Sequence, residues 1–284
     1  MKIGVIGLGL IGGSICKAIK ENTEHRVMGR DIDGMVAAKA LAEGRIDGIL
    51  PDGGLDSVEL LFICLHPEQT ISFLKEHVRE FRKGGIVCDV CGVKRAPIRE
   101  CEDLLSDSGV TYLGTHPMAG REFSGYDYSD ASIFKGASFI ITPTGRTPAD
   151  AVETVRNLAT EMKFGSVVMS TPDQHDRNIA YTSQMAHIAS NAYVKSPSIE
   201  RHRGFSAGSF QDLTRVARLN EDLWTALFMM NSDYLLQELE LYIGHLSEYR
   251  DALEQGDANR LKDLLRDGRM IKEASLLTDN GLEK

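Results

Sequence analysis

The strongest constraint on this chain lies at its start. Gly7, Gly9 and Gly12 punctuate the run Gly7-Leu8-Gly9-Leu10-Ile11-Gly12, directly behind the apolar stretch Lys2 to Ile6. A glycine-rich turn of this kind joins a strand to a helix, and each glycine meets a separate need. Gly7 permits the tight turn, Gly9 lets the backbone approach a pyrophosphate, and Gly12 lets helix and strand pack closely. The anion would rest at the start of the following helix, beside Leu10 and Ile11, where free N–H groups and the helix dipole favour negative charge. Asp31 ends the next apolar segment, about twenty residues on, where a carboxylate can accept hydrogen bonds from ribose hydroxyls. A carboxylate there disfavours a 2′-phosphate, so NAD is expected over NADP, although Arg30 beside it pulls the other way. For the glycines alone, a nucleotide-free turn or FAD is the alternative.

The rest of the chain divides in two. Strand signals fall at Lys2 to Ile6, Arg26 to Asp31, Leu60 to Leu65, Gly85 to Asp89, Val110 to Gly114 and Phe139 to Ile141. Helix signals lie between them, near Ile11 to Lys20 and Met35 to Ala42. Several of the strands are continuous apolar runs, as expected when both faces are covered. This rhythm predicts an α/β N-terminal domain, a Rossmann-type doubly wound parallel sheet, over residues 1–168. Thr171-Pro172-Asp173 is a strong helix start, with a cap residue, Pro at the first turn and then an acid. From there an all-α C-terminal domain is expected over residues 169–284, including helices at Asp233 to Leu253 and Asn259 to Ala274. The apolar stripes of this half, Leu235, Leu239 and Leu246 among them, predict burial against a second copy, hence a homodimer.

Composition narrows the function classes. The 284 residues are 42% hydrophobic, enough for ordinary cores. The formal charge of −9 argues against a nucleic-acid partner, because phosphate backbones demand clustered Lys and Arg. Charges recur too often for a membrane span. The opening run is broken by glycines and followed by Lys17, Lys20 and Glu21, which does not fit a signal peptide. Five cysteines without framework spacing point to a reducing cytoplasm. Cys88 and Cys91 form a CxxC, but no second pair exists for a metal and Cys88 falls within an apolar strand, so no metal is expected.

A second motif, Gly114-Thr115-His116-Pro117-Met118-Ala119-Gly120, places a histidine after the strand Val110 to Gly114. That is the C-terminal edge of the sheet, where a dinucleotide would bind. Dehydrogenases that oxidise an alcohol need a base, and a histidine can accept a proton at neutral pH. On position alone, His116 reads equally as that base or as a structural cap of the turn. Asp89-Val90-Cys91-Gly92-Val93-Lys94 closes the preceding strand on the same edge, so its loop should border the nicotinamide; Lys94 would meet an anionic group or be solvated at a helix start. Arg215 and Arg218 lie three apart, on one helix face, and suit either a substrate carboxylate or a surface ion pair. His175-Asp176, at the start of the first helix of the second domain, and His187, three turns on, read on position alone as core or capping residues.

Together these residues resemble the prephenate and arogenate dehydrogenase family of tyrosine biosynthesis, along almost the whole chain. The opening turn through Gly13-Ser14, the HPMAG segment at His116 to Gly120, His175-Asp176, the Asp212-Leu213-Thr214-Arg215-Val216-Ala217 run and Trp224 carry the likeness. The resemblance implies hydride transfer to NAD coupled to decarboxylation of a cyclohexadienol. His116 would take the hydroxyl proton and Arg215 would hold a substrate carboxylate, with His187, Gln184 and Lys94 also at the substrate. The product would be 4-hydroxyphenylpyruvate from prephenate or tyrosine from arogenate. Two departures stand out. Gly92 occupies the place of a family serine thought to bridge histidine, substrate and nicotinamide. Gln184 stands where many members carry the first histidine of an HxPH segment. Gly92 keeps open a further alternative, a dinucleotide-binding sensor that has lost activity.

Overall fold

A computed structural model describes residues 1–121 and 123–279. Its first half alternates β1 (Lys2–Ile6), α1 (Leu10–Asn22), β2 (Arg26–Arg30), α2 (Gly34–Ala42) and β3 (Gly48–Ile49). β4 (Leu60–Ile63), α3 (Pro67–His77), β5 (Ile86–Asp89), α4 (Arg95–Leu105) and β6 (Thr111–Pro117) follow, and β7 (Ser138–Thr142), α5 (Ala149–Glu161) and β8 (Ser166–Met169) complete the sheet. The strand order is β3-β2-β1-β4-β5-β6-β7-β8. β6 and β7 run antiparallel; the other described ladders are parallel. This is the doubly wound sheet expected from the alternating signals.

Two apolar layers hold the sheet, and strand periodicity sorts residues between them. Leu60 and Phe62 enter one layer with Ile3, Val5, Ile15 and Leu113. Their neighbours Leu61 and Ile63 enter the other with Leu74, Val87 and Ile98. From β1 the chain runs outward through β2 and β3, then β4 returns to the opposite side of β1. That reversal opens a crevice beyond the carboxyl ends of β1 and β4, where ligands of such sheets bind.

Three details of the sheet differ from the sequence reading. β3 has two residues, too few for a period, and β8 is a largely exposed edge strand; neither announced itself. β6 runs on through Pro117, because antiparallel pairing with β7 sets His116 opposite Ile140. His116 therefore lies within the strand end rather than after it.

The helical half begins at the expected cap: Thr171 accepts a hydrogen bond from the Gln174 N–H, and Pro172 opens α6 (Pro172–Ile179). A π-helical stretch, Ala180–Met185, leads into α7 (Ala186–Tyr193). α8 (Gly208–Thr214) gives way to a 3-10 turn, Arg215–Ala217, before α9 (Glu221–Met230). Arg215 and Arg218 thus do not share one helix face: Arg215 opens the turn and Arg218 is already extended. α10 (Ser232–Glu254) and α11 (Ala258–Asp279) are the last helices among the described residues. The molecule forms two compact units, Met1–Ser232 and the segment from Asp233 on. In the second, the Tyr249 hydroxyl donates to Leu264 O at 3.4 Å and Arg260 pairs with Glu248 at 3.0 Å. Leu236, Leu241, Ile243 and Leu246 of α10 are exposed. Among the described residues no helix is long and apolar enough to cross a membrane.

Candidate active site

The glycine turn has the shape a dinucleotide needs. Gly7 adopts φ +83°, a left-handed backbone that favours glycine. A Cβ on Gly12 would lie 1.9 Å from the Gly7 carbonyl oxygen, so only glycine lets α1 start this close to β1. Gly9 is the N-cap of α1 and supplies no side-chain cap; a Cβ there would meet nothing within 4 Å. The helix therefore presents its first N–H groups to open space, a ready anion site. Asp31 is held against the turn: its carboxylate accepts from Leu8 N at 2.7 Å and from Asp33 N at 2.9 Å. These residues fit a dinucleotide, with an acid where a ribose would lie. Arg30 pairs with Asp52 at 2.7 Å.

At the edge of the sheet, His116 is half-buried and its Nδ1 lies 2.9 Å from His175 Nε2. His175 is buried, and its Nδ1 lies 2.7 Å from Asp176 Oδ1. Asp176 in turn accepts from Lys94 N at 2.7 Å and Arg95 N at 2.8 Å, capping α4. Burial holds the His116 pKa well below 6.5, and the neighbouring His175 and Lys94 push the same way. Burial also lowers His175, against the opposing pull of Asp176. Both rings are thus neutral at neutral pH, the state a proton acceptor requires.

The loop after β5 corrects one expectation. Lys94 is fully buried and its ammonium pairs with the equally buried Asp89. It faces neither solvent nor a substrate anion. A buried charge must be matched to be tolerated, and Asp89 matches it while also accepting from Cys91 N and the Tyr112 hydroxyl, each at 2.8 Å. Burial pushes the Tyr112 hydroxyl and the Cys88 and Cys91 thiols up, so all three stay protonated. Within this brace sits Gly92, under Leu227; a Cβ on it would touch both Leu227 methyls at 3.4 Å, ordinary contact.

Gln184 is the second correction. It is buried, its Nε2 donates to Leu227 O at 3.1 Å, and its Oε1 accepts from Asn231 Nδ2 at 2.8 Å. With both ends engaged inside the protein, it supports the helices rather than a substrate. His187 keeps an open aspect. It is half-buried, its ring stacks on Trp224 with centroids 3.7 Å apart, and its Nδ1 meets Ser183 O at 2.9 Å. Burial lowers its pKa and the Arg215 charge lowers it further, against the Ser183 carbonyl. Asn191 Nδ2 ties the Arg215–Ala217 turn to α7 through Ala217 O at 3.3 Å. His187, Trp224, Asn191, Lys195 and Glu221 line a cavity of about 240 Å³.

Models of two domains match this chain: the prephenate dehydrogenase nucleotide-binding domain at residues 15–169, and the prephenate dehydrogenase dimerization domain at residues 171–267. The chain belongs to the prephenate dehydrogenase family. It is 31% identical over 266 residues to the prephenate dehydrogenase of Bacillus subtilis, spanning 90% of this chain and 71% of that one. The crystal structure of Synechocystis arogenate dehydrogenase superposes with a TM-score of 0.81 at 25% identity, covering 97% of this chain and 100% of that one. Prephenate dehydrogenase from Aquifex aeolicus, crystallised with hydroxyphenyl propionate and NAD+, shares the fold with a TM-score of 0.85 at 22% identity, over 96% and 98% of the two chains.

Against that family frame, the sequence reading missed Asn231 and left His175 and Asp176 undecided. The signal for the pair was slight: His175 and Asp176 stand four and three residues before Ile179, and the structure buries all three on one side of α6. Polar side chains on a buried helix face need partners, which marks them for scrutiny. Asn231, the buried C-cap of α9, bonded to Asp176 O and Gln184, carried no such signal.

Proposed function

We propose that this chain oxidatively decarboxylates prephenate to 4-hydroxyphenylpyruvate in tyrosine biosynthesis, with NAD as its cofactor. The observation that carries the reading is His116: a neutral, half-buried ring at the sheet's C-terminal edge, with one nitrogen tied to His175. Its other nitrogen, Nε2, accepts the proton of the substrate hydroxyl. Bound NAD supplies the hydride acceptor. Gly7, Gly9, Leu10, Ile11 and Gly12 hold its pyrophosphate, Asp31 its ribose, and the backbone at Gly92 borders it. Arg215 holds a substrate carboxylate, and His187, backed by Trp224, lines the substrate's pocket. Expulsion of carbon dioxide aromatises the ring and makes the step effectively irreversible.

Residues 1–168 serve as the dinucleotide-binding domain and 169–284 as the substrate-binding and dimerisation domain of a cytoplasmic homodimer. The dimerization-domain match and the exposed apolar residues of α10 support the dimer. The likeness to an arogenate dehydrogenase favours arogenate as the second reading. One assay separates them: NADH or NADPH formation with prephenate and arogenate crossed against NAD and NADP. Reduction of NAD with prephenate is expected. Turnover with arogenate alone would replace the first reading by the second. No reduction in any combination, with NAD still bound, would leave a dinucleotide-binding sensor.

A further inference from the structure

The proton on His116 is decided at a helix end. Asp176 receives hydrogen bonds from Lys94 N and Arg95 N, with the Arg95 Nε 3.4 Å away. A carboxylate surrounded by donors must itself act as acceptor, so its contact with His175 Nδ1 requires a proton on that nitrogen. A neutral His175 with Nδ1–H has a bare Nε2. That bare nitrogen faces His116 Nδ1 at 2.9 Å, so the proton of this second hydrogen bond belongs to His116 Nδ1. A neutral His116 with Nδ1–H has its lone pair at Nε2.

We propose that His175 and Asp176 are positioning residues, which hold His116 in the one tautomer whose Nε2 can accept a proton. The inference rests on His116 being the base. Neither residue touches the substrate; both act through the ring they orient. When His116 takes the proton, the resulting imidazolium keeps its Nδ1–H bond to His175, and the Asp176 carboxylate offsets the charge from the far side. The same carboxylate caps α4, whose N-cap Lys94 braces the loop at Gly92. Orientation of the base is thereby tied to the loop that borders the cofactor.

The test reads the tautomer itself. Full-length protein labelled with 15N-histidine would be examined by long-range 1H–15N correlation, with the His116 signals assigned by their loss in His116→Asn. The wild type should show a protonated Nδ1 and a bare Nε2. His175→Gln restores a side-chain acceptor for the Nδ1–H, so the tautomer should persist and kcat should stay within about tenfold of wild type. His175→Phe removes the acceptor and Asp176→Asn places an amide donor beside His175. Both should mix or reverse the tautomer and lower kcat by about 10²- to 10⁴-fold, with KM for NAD and prephenate nearly unchanged. A wild-type ring protonated at Nε2 would overturn the proposal, as would an unaltered tautomer and kcat in folded His175→Phe and Asp176→Asn proteins. Survival of turnover in His116→Asn is a separate result; it would remove the base assignment and leave the tautomer measurement standing.

Discussion

The cofactor turn and the histidine pair sit at the same edge of one sheet, yet they are built in opposite ways. The turn is a backbone device. Its parts lie within six residues of one another, except for Asp31, and its shape follows from where a Cβ is forbidden: 1.9 Å from the Gly7 carbonyl at Gly12, free space at Gly9. The histidine site is a side-chain device, with His116 and His175 separated by 59 positions and joined by a 2.9 Å contact. A backbone device tolerates change in every side chain but those that would fill it. A side-chain relay depends on each member, because each decides where the next proton sits.

The sharpest way to break the comparison is His116→Asn. Turnover should fall by about 10²- to 10⁴-fold with NAD affinity nearly unchanged, as read by steady-state kinetics and cofactor titration. Retained turnover would remove His116 as the base. The pH profile of kcat/KM gives a second reading. Because the folded His116 pKa lies below 6.5, activity should persist as pH falls through 6.5 and fail only lower, when the ring protonates. The same direction applies to stability: the unfolded rings of His116, His175 and His187 bind protons from about pH 6.5 downward while the folded ones stay neutral. Unfolding free energy should therefore decline over that window as pH drops, until the folded rings protonate in turn.

Arg215→Ala comes next in size. Loss of a guanidinium from a desolvated carboxylate should weaken substrate binding by about 2–5 kcal/mol, seen as a raised KM for prephenate. An unchanged KM would move that role to another cation. Gly12→Ala probes the backbone side of the comparison. The new methyl must displace the Gly7 carbonyl, at a cost of about 1–3 kcal/mol. NAD affinity by calorimetry should drop while the His116 tautomer is kept; undiminished affinity would mean that the turn can open without loss. The smallest effect is expected from Gly92→Ser. Its Cβ meets Leu227 at ordinary contact distance, so the melting temperature should barely move. Turnover should rise if a hydroxyl there completes the site, and equality with wild type would show that the site works without one.

Much of the fold was legible because its signals are local. Continuous apolar runs such as Leu60 to Ile63, short and set between helix signals, fit strands covered on both faces, and Thr171-Pro172-Asp173 combines the signals of a helix start. Legibility ended where contact replaced pattern. Lys94 beside a glycine loop looked available to a substrate, and tertiary packing buried it against Asp89 instead. Gln184 looked like a stand-in for a ligand histidine, and it is spent on Leu227 and Asn231. Both are side chains whose partners arrive from elements remote in sequence, which no spacing rule can supply.

By itself, then, the sequence determined the central strands, the dinucleotide turn and the strand that leads to His116, since glycine sterics, strand periodicity and helix capping act between residues a few positions apart. Only the tertiary structure decided that His175 and Asp176 stand behind His116, and that Lys94 and Gln184 face inward. Those outcomes depend on burial and on hydrogen-bond geometry across distant segments, and such geometry comes into being only when the chain packs.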